Sequence, residues 1–392
     1  MADDLILAVN AGSSTIKFGA FRLPSLARVA FGHVDALGSD DCAFRAEAAG
    51  EPHSQELPGA DHERAMAALV AWIGEALGGA KIAACSHRIV HGGPDHVWPL
   101  LADGAVVREL EAFIPLAPLH QPHNLAGMVA LARALPGTPQ VACFDTAFHR
   151  DHPKVAEVYA LPREMTEAGV RRYGFHGLSY EYIARRLRNL DPELASGRVI
   201  VAHLGAGASL CAMRDGRSVD STMGFTALDG LPMATRTGQL DPGVVLHLWR
   251  EGRPLAEVER MLYRDSGLKG LSGLSGDMRE LQAAGTPAAA FAIEYFCYRV
   301  AREIGALAVS LGGLDGLVFT AGVGENAPAI RADICSRLGL LGAVADEAAN
   351  AAGAERFDAD GSRIRLLRLP TDEEKMLAIH AARCIGAPVG AS

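Results

Sequence analysis

Short apolar runs bounded by glycine and polar residues alternate along this chain with longer segments whose apolar positions recur every three to four residues, the mixture that builds α/β domains. Leu5–Val9 is apolar, breaks at Asn10-Ala11-Gly12-Ser13-Ser14 and resumes as Ile16–Phe21, which predicts a hairpin with a small-residue tip. The same pattern returns later. Arg198–His203 is apolar, breaks at Gly205-Ala206-Gly207-Ala208-Ser209, and resumes as Leu210–Met213 before an Asp215-Gly216 turn. Two such units about 195 residues apart suggest a duplicated domain with one phosphate-binding loop in each half. Between them, helical periodicity over His62–Leu77 and Leu178–Asn189 alternates with apolar strands at Ile82–Ser86, Gln140–Phe144 and Gly316–Thr320. The stretches around Gly50–Ala60 and Leu228–Gly243 are turn-rich and read as loops, and with no low-complexity linker the domain boundary falls just after Asp145.

The longest apolar stretch, Ala288–Leu311, is interrupted by Glu294, Arg299, Arg302 and Glu303 and carries an Ala292, Phe296, Val300, Ile304, Leu307, Leu311 stripe, which makes it a packed helix and not a membrane span. A chain of 392 residues with 49% hydrophobic content exceeds one ordinary core, so two domains of roughly 150–220 residues are expected. Forty-six acidic against 37 basic residues give a net charge of −9, with no basic run to neutralise phosphate backbones, so nucleic acid is not an expected partner. The N-terminus, Met1-Ala2-Asp3-Asp4, lacks the basic start of a signal peptide, and seven scattered cysteines without a CxxC pair fit buried reduced thiols. Both point to the cytoplasm.

Against this background several polar segments stand out. Asn10–Lys17 gathers backbone N–H groups, three hydroxyls and a lysine in one hairpin, the parts that hold phosphate oxygens, although an ordinary polar turn contains the same parts. Ser86–Gly93 follows a strand and presents Arg88, whose fork suits a carboxylate or phosphate; a surface ion pair is the alternative. Asp145 ends an apolar strand, where open α/β sheets place their ligands, or else caps a helix. His176 lies between Gly174 and Gly177, and Arg236 sits in the loop Met233–Gly238. Three further segments each precede an expected helix: Ser272–Gly276 before Asp277-Met278-Arg279, Gly322–Asn326 before Ala327–Leu338, and Pro370 before Thr371–Cys384. In the last, Thr371 and Glu374 have capping-box spacing, which leaves Glu373 as the carboxylate free for a metal.

In this order NAGSSTIK, SHRIVHGG, APLH, FDTAFH, RRYGFHG, TRTGQLDP, SGDMRE, FTAGVGEN and PTDEE resemble the acetate kinase family from about residue 5 to residue 380. The resemblance implies an α/β fold of two ribonuclease-H-like domains of the acetate and sugar kinase, heat-shock ATPase and actin superfamily, with an interdomain cleft. It divides the chain into 1–147, completed by the C-terminal helix 375–392, and 148–374. The implied reaction is reversible transfer of the ATP γ-phosphoryl group to acetate, giving acetyl phosphate and ADP. Carried over by position, Asp145, His176 and Arg236 are catalytic, and Arg88, Val90 and Leu119 bind the substrate. Lys17, the loop His203, Leu204, Gly205, Ala206 and Gly207, the segment Asp277, Met278 and Arg279, and Gly322, Val323, Gly324, Glu325 and Asn326 bind the nucleotide. Asn10 and Glu373 serve Mg2+, for which Mn2+ can substitute. The implied assembly is a homodimer acting on small molecules, with no membrane or nucleic-acid partner. Because a carboxylate nucleophile is already ionised, positioning Arg88 or metal-bound water suits Asp145 better than accepting a proton.

The chain departs from the family pattern at Ala206, where asparagine is usual, at Leu178 and Tyr180, where threonine and histidine are usual, and at Ala227, where proline is usual. These positions bear on nucleotide affinity, phosphoryl donor and acyl preference, so a propionate or butyrate kinase and a pyrophosphate-linked acetate kinase stand as alternatives. A nucleotide-regulated binding protein on the same fold is the more distant one. The joint presence of Arg88, Asp145, His176 and Arg236 without an added client-binding domain separates it from an enzyme.

Overall fold

The computed structural model describes residues 4–389, so Met1–Asp3 of the N-terminal reading and residues 390–392 of the expected C-terminal helix lie outside it. The chain forms two compact units, one holding the residues up to Ala147 together with those from Asp372 on, the other Phe148–Thr371.

In the first unit the predicted hairpin is β1 (Leu5–Ala11) and β2 (Ile16–Arg22), with Asn10 opposite Lys17 and a turn closed by Gly12 N–H donating to the Thr15 carbonyl at 2.8 Å. An antiparallel meander continues through β3 (Ala27–Asp35), β4 (Ala43–Ala48) and β5 (Glu51–Glu56). Parallel strands β6 (Ile82–Ile89) and β8 (Gln140–Phe144) lie on the other side of β1, with the short β7 (Leu100–Leu101) antiparallel to β8, giving the order β5-β4-β3-β2-β1-β6-β8-β7. One sheet face packs Phe18 and Phe44 against Trp72 of the helix His62–Ala76 at ring separations of 5.9 and 5.6 Å.

The second unit repeats the plan with β9 (Arg198–Leu204), β10 (Ala208–Arg214), β11 (Arg217–Ser221), β12 (Gly316–Thr320) and β13 (Arg365–Arg368), ordered β11-β10-β9-β12-β13. Set beside β3-β2-β1-β6-β8, the two sheets have the same connectivity: a three-strand meander whose first strand pairs in parallel with the next strand after a helical crossover. The duplication read from two loops is therefore present in topology. The long crossover helix runs Pro287–Leu311 and buries Ala292, Phe296, Val300, Ile304, Leu307 and Leu311. Among the described residues no helix is long and apolar enough to cross a membrane. All seven cysteines are unbonded, and Cys85, Cys211 and Cys335 are pushed up to about 12 by burial.

Three expectations are corrected. Gly50–Ala60 is not a loop: it contains β5, an exposed edge strand whose polar composition hid it. Gly322–Asn326 is not a loop ahead of a helix, because Ala321–Asn326 is itself helical and Pro328, which has no N–H to donate, opens the next helix, Pro328–Ser336. The Thr371/Glu374 capping box does not form. The last helix runs Glu373–Cys384, Asp372 is its cap, and the Asp372 carboxylate accepts from Lys375 N–H at 2.8 Å. Thr371 instead donates its N–H to Glu325 Oε1 at 3.2 Å and its hydroxyl meets Ser179 Oγ at 2.9 Å. Replacing Asp372 by Ala should cost about 1 kcal/mol, typical of a lost N-cap, and lower the melting temperature by roughly 2–4 °C. An unchanged melting curve would deny the cap.

Candidate active-site residues

In the first unit, β1, β6 and β8 are parallel neighbours, so their C-terminal ends lie along one edge of the sheet. Arg88 is the penultimate residue of β6, and Asp145 directly follows β8, its N–H donating to the Ile89 carbonyl at 3.1 Å. The guanidinium donates Nε to Asp145 Oδ1 at 2.9 Å and Nη2 to Oδ2 at 2.6 Å, a fork-to-carboxylate pair, while Nη1 lies 3.6 Å from Glu373 Oε2. The Asp145 side chain is only 2% exposed and that of Arg88 19%. Burial opposes the arginine's charge, but Asp145 and Glu373 outweigh it and raise its pKa. Glu374 is pushed up by burial first and then by its neighbour Glu373, with Lys17 as partial relief.

Asn10 and Lys17, cross-strand partners on the hairpin, make no side-chain hydrogen bond or ion pair among the described residues, and Glu373 makes only the long contact to Arg88. Such groups are open to a ligand. An amide oxygen and a carboxylate are the hard oxygen donors Mg2+ prefers. No cluster of three His, Cys, Asp or Glu among the described residues could hold a metal. A magnesium ion carried by phosphates and water needs no such cluster.

Two residues that sequence reasoning missed hold this region. The helix Gln121–Ala134 presents buried Gln121 and Asn124. Asn124 Oδ1 accepts from Val90 N–H at 3.0 Å while its Nδ2 donates to the Ala11 carbonyl at 2.6 Å, so one amide ties the β1–β2 hairpin to the strand carrying Arg88. Gln121 accepts from His91 N–H at 3.1 Å and donates to the His91 carbonyl at 3.0 Å. Val90 is buried and Leu119 half-buried in the turn before this helix. Gln121 and Asn124, polar at helix positions 1 and 4, carried no signal in the sequence, because only the fold buries them.

In the second unit, His176 precedes the helix Gly177–Leu190 with φ 57°, a left-handed conformation that a non-glycine residue holds only under constraint. Its Nδ1 lies 2.8 Å from Ser209 Oγ, and its ring stacks on His203 at 4.2 Å. Arg236 is fixed by Nη1 donating to the Ala227 carbonyl at 2.7 Å. A Cβ placed on Gly207 would fall 2.9 Å from Arg236 Nη2 and 3.2 Å from His176 Nε2, so glycine at 207 lets the β9–β10 hairpin approach both.

A cavity of about 460 Å³ in this unit brings together Gly205, Ala206, Asp277, Met278, Arg279, Gly322, Val323 and Asn326, with Leu268 and Phe296 as apolar wall. Of the other expected nucleotide residues, Leu204 is fully buried and His203 Nδ1 engages Ser179 Oγ at 2.9 Å. Gly324 and Glu325 lie inside the short helix: their carbonyls accept from buried Arg331 at 3.0 and 2.9 Å, and Glu325 Oε1 accepts from Ala321 N–H at 2.8 Å. The Asp277 carboxyl is held down to about 2 by hydrogen bonds from the Arg279 side chain and N–H, so this exposed pair leaves Arg279 partly committed.

A duplicated β-meander sheet with a small-residue hairpin in each copy defines the acetate and sugar kinase, heat-shock ATPase and actin fold. The model of the acetokinase family matches residues 5–379. The acetate kinase of Nitrobacter hamburgensis is 51% identical, covering 96% of this chain and 95% of that protein, and that of Methylocella silvestris is 49% identical, covering 96% of each. Among solved structures, a propionate kinase from Francisella tularensis gives a TM-score of 0.92 at 34% identity, covering 97% of this chain and 99% of that one. Porphyromonas gingivalis acetate kinase gives 0.88 at 35%, covering 97% and 100%. The chain belongs to the acetokinase family.

Replacing Asn124 by Ala should unpin the Ala11 carbonyl and the Val90 N–H together. A positioning role predicts at least a roughly tenfold fall in kcat/KM, with KM raised for both co-substrates; a change confined to thermal stability would contradict it.

Proposed function

We propose that this chain is an acetate kinase that moves a phosphoryl group reversibly between ATP and acetate. The observation that carries the reading is Arg88: Asp145 occupies the Nε–Nη2 edge of its guanidinium, and the Nη1–Nη2 edge, met among the described residues only by the 3.6 Å contact of Nη1 to Glu373, is the fork for a substrate carboxylate. A substrate carboxylate oxygen attacks the γ-phosphorus, the bond from phosphorus to the ADP oxygen breaks, and the electron pair leaves with ADP. No proton needs to move. What the reaction requires is alignment and neutralisation of charge on the three equatorial oxygens. The first unit supplies Arg88 for the acyl group and Lys17 for phosphates. The second supplies Arg236 and His176 for the transferring phosphoryl group and the cavity for the nucleotide, with apolar Leu268, Met278 and Phe296 suited to a base. Asn10 and Glu373 would hold the Mg2+ ion, which when bound offsets phosphate charge. The reading extends to a cytoplasmic homodimer. The helix Pro242–Arg250 buries no residue and leaves Trp249 70% exposed, in keeping with a face that a second copy covers.

Propionate is favoured as a second substrate by one feature, Ala227 where the family pattern has proline. Loss of wall equivalent to a methylene is worth about 0.8 kcal/mol, and apolar pockets discriminate one methylene by only about 1–3 kcal/mol. A hydroxamate assay for acyl phosphate, run over a panel of carboxylates with ATP, GTP and pyrophosphate, tests both proposals. Acetate with ATP should give acyl phosphate, with propionate within about tenfold in kcat/KM and butyrate clearly worse. Absence of product from every acid would refute the enzyme, and a preference for acetate over propionate above about a hundredfold would refute the wider pocket. Glu373→Gln should raise the Mg2+ needed for half-maximal activity by roughly tenfold; an unchanged magnesium titration would remove Glu373 from the metal.

A further inference from the structure

Tyr180 stands where the family pattern has histidine, and its surroundings explain what a phenol does there. It lies one helical turn after His176, on the same face of Gly177–Leu190, and is fully buried. Its hydroxyl is within hydrogen-bond reach of Ser209 Oγ and, among the described residues, of no other polar group. Ser209, also fully buried on β10, has two partners, that hydroxyl and His176 Nδ1. Burial raises the phenol's pKa well above its usual value, so it keeps its proton.

A count of protons then fixes the direction of each bond. The Tyr180 O–H has only Ser209 to donate to, and a buried donor left unpaired is disfavoured. Ser209, having accepted that proton, sends its own single O–H to His176 Nδ1. His176 Nδ1 is therefore an acceptor, and the ring's proton sits on Nε2. A proton on Nδ1 would leave one of the two buried hydroxyl hydrogens, that of Tyr180 or that of Ser209, without an acceptor. Other groups around the ring are the stacked His203, whose Nδ1 is engaged by Ser179, the Arg236 guanidinium beside Gly207, His149 against the edge of Tyr180, and the Cys211 thiol. That thiol, pushed up to about 12 by burial, carries no charge at neutral pH.

We propose that Tyr180 and Ser209 are positioning residues that lock His176 in the Nε2–H tautomer, so that His176 and Arg236 present two donors side by side at Gly207. The donor role toward phosphoryl oxygens rests on the function proposed above; the tautomer does not. Nitrogen-15 NMR of the unliganded wild-type protein, with His176 assigned by its loss in His176→Gln, should show a protonated Nε2 and an unprotonated Nδ1 at pH 8. Tyr180→Phe, an isosteric change, frees the Ser209 hydroxyl to turn and should give a mixture of tautomers.

Activity follows. In the variant the neutral ring spends part of its time without a proton on Nε2, so kcat of Tyr180→Phe should fall severalfold, up to about tenfold, with Ser209→Ala behaving likewise. An unchanged kcat in both variants would overturn the positioning role, and a wild-type spectrum with the proton on Nδ1 would overturn the tautomer itself.

Discussion

A guanidinium placed at the end of a buried strand must be paired, and the Arg88–Asp145 fork is the interaction on which the first unit's chemistry depends. Removing either partner would leave the other charge uncompensated in a poorly hydrated place. With both present, the arginine is held ionised and aimed, and one edge remains for a ligand. Strand register sets this geometry, since parallel pairing of β6 with β8 brings Arg88 and Asp145 to adjacent ends. Asn124 extends the arrangement to β1 by joining the Ala11 carbonyl to Val90 N–H, so the hairpin with Asn10 and Lys17 is held to the same edge.

The second unit meets a similar demand by other means. Its hairpin tip is stripped of side chains, and Gly207 lets Arg236 and His176 come close to the backbone. The left-handed backbone at His176 has a conformational cost that is borne by its hydrogen bond to Ser209 and its stacking on His203. Nη1 of Arg236 donates to a backbone carbonyl, that of Ala227, at 2.7 Å, which helps to orient it.

Local pattern made much of this legible. The two hairpins, the long helix with its buried stripe, and Arg88 and Asp145 at strand ends all follow from runs of neighbouring residues, and the ordered motifs carried the family. What escaped the sequence depends on distant partners. Asn124 and Gln121 read as ordinary helix residues until the fold brings Val90, Ala11 and His91 to them. The β5 edge strand is polar because nothing covers it, and polarity reads as loop. Thr371 and Glu374 had the right spacing for a capping box, but Asp372 takes the cap, and Thr371 is drawn to Glu325 and Ser179. The short helix at Ala321–Asn326 shows the same competition: two glycines suggested a loop, while Glu325 accepting from Ala321 N–H and Arg331 bonding the carbonyls at its far end hold it helical.

On the function proposed above, Asp145 holds Arg88 and takes no proton, so that catalysis is alignment plus charge. The most direct test is the solvent deuterium isotope effect on single-turnover formation of acyl phosphate. Equal rates in H2O and D2O are expected, because no proton is transferred with the phosphoryl group. A clearly slower reaction in D2O, abolished together with most of the activity in Asp145→Asn, would show a proton in flight and would contradict the account.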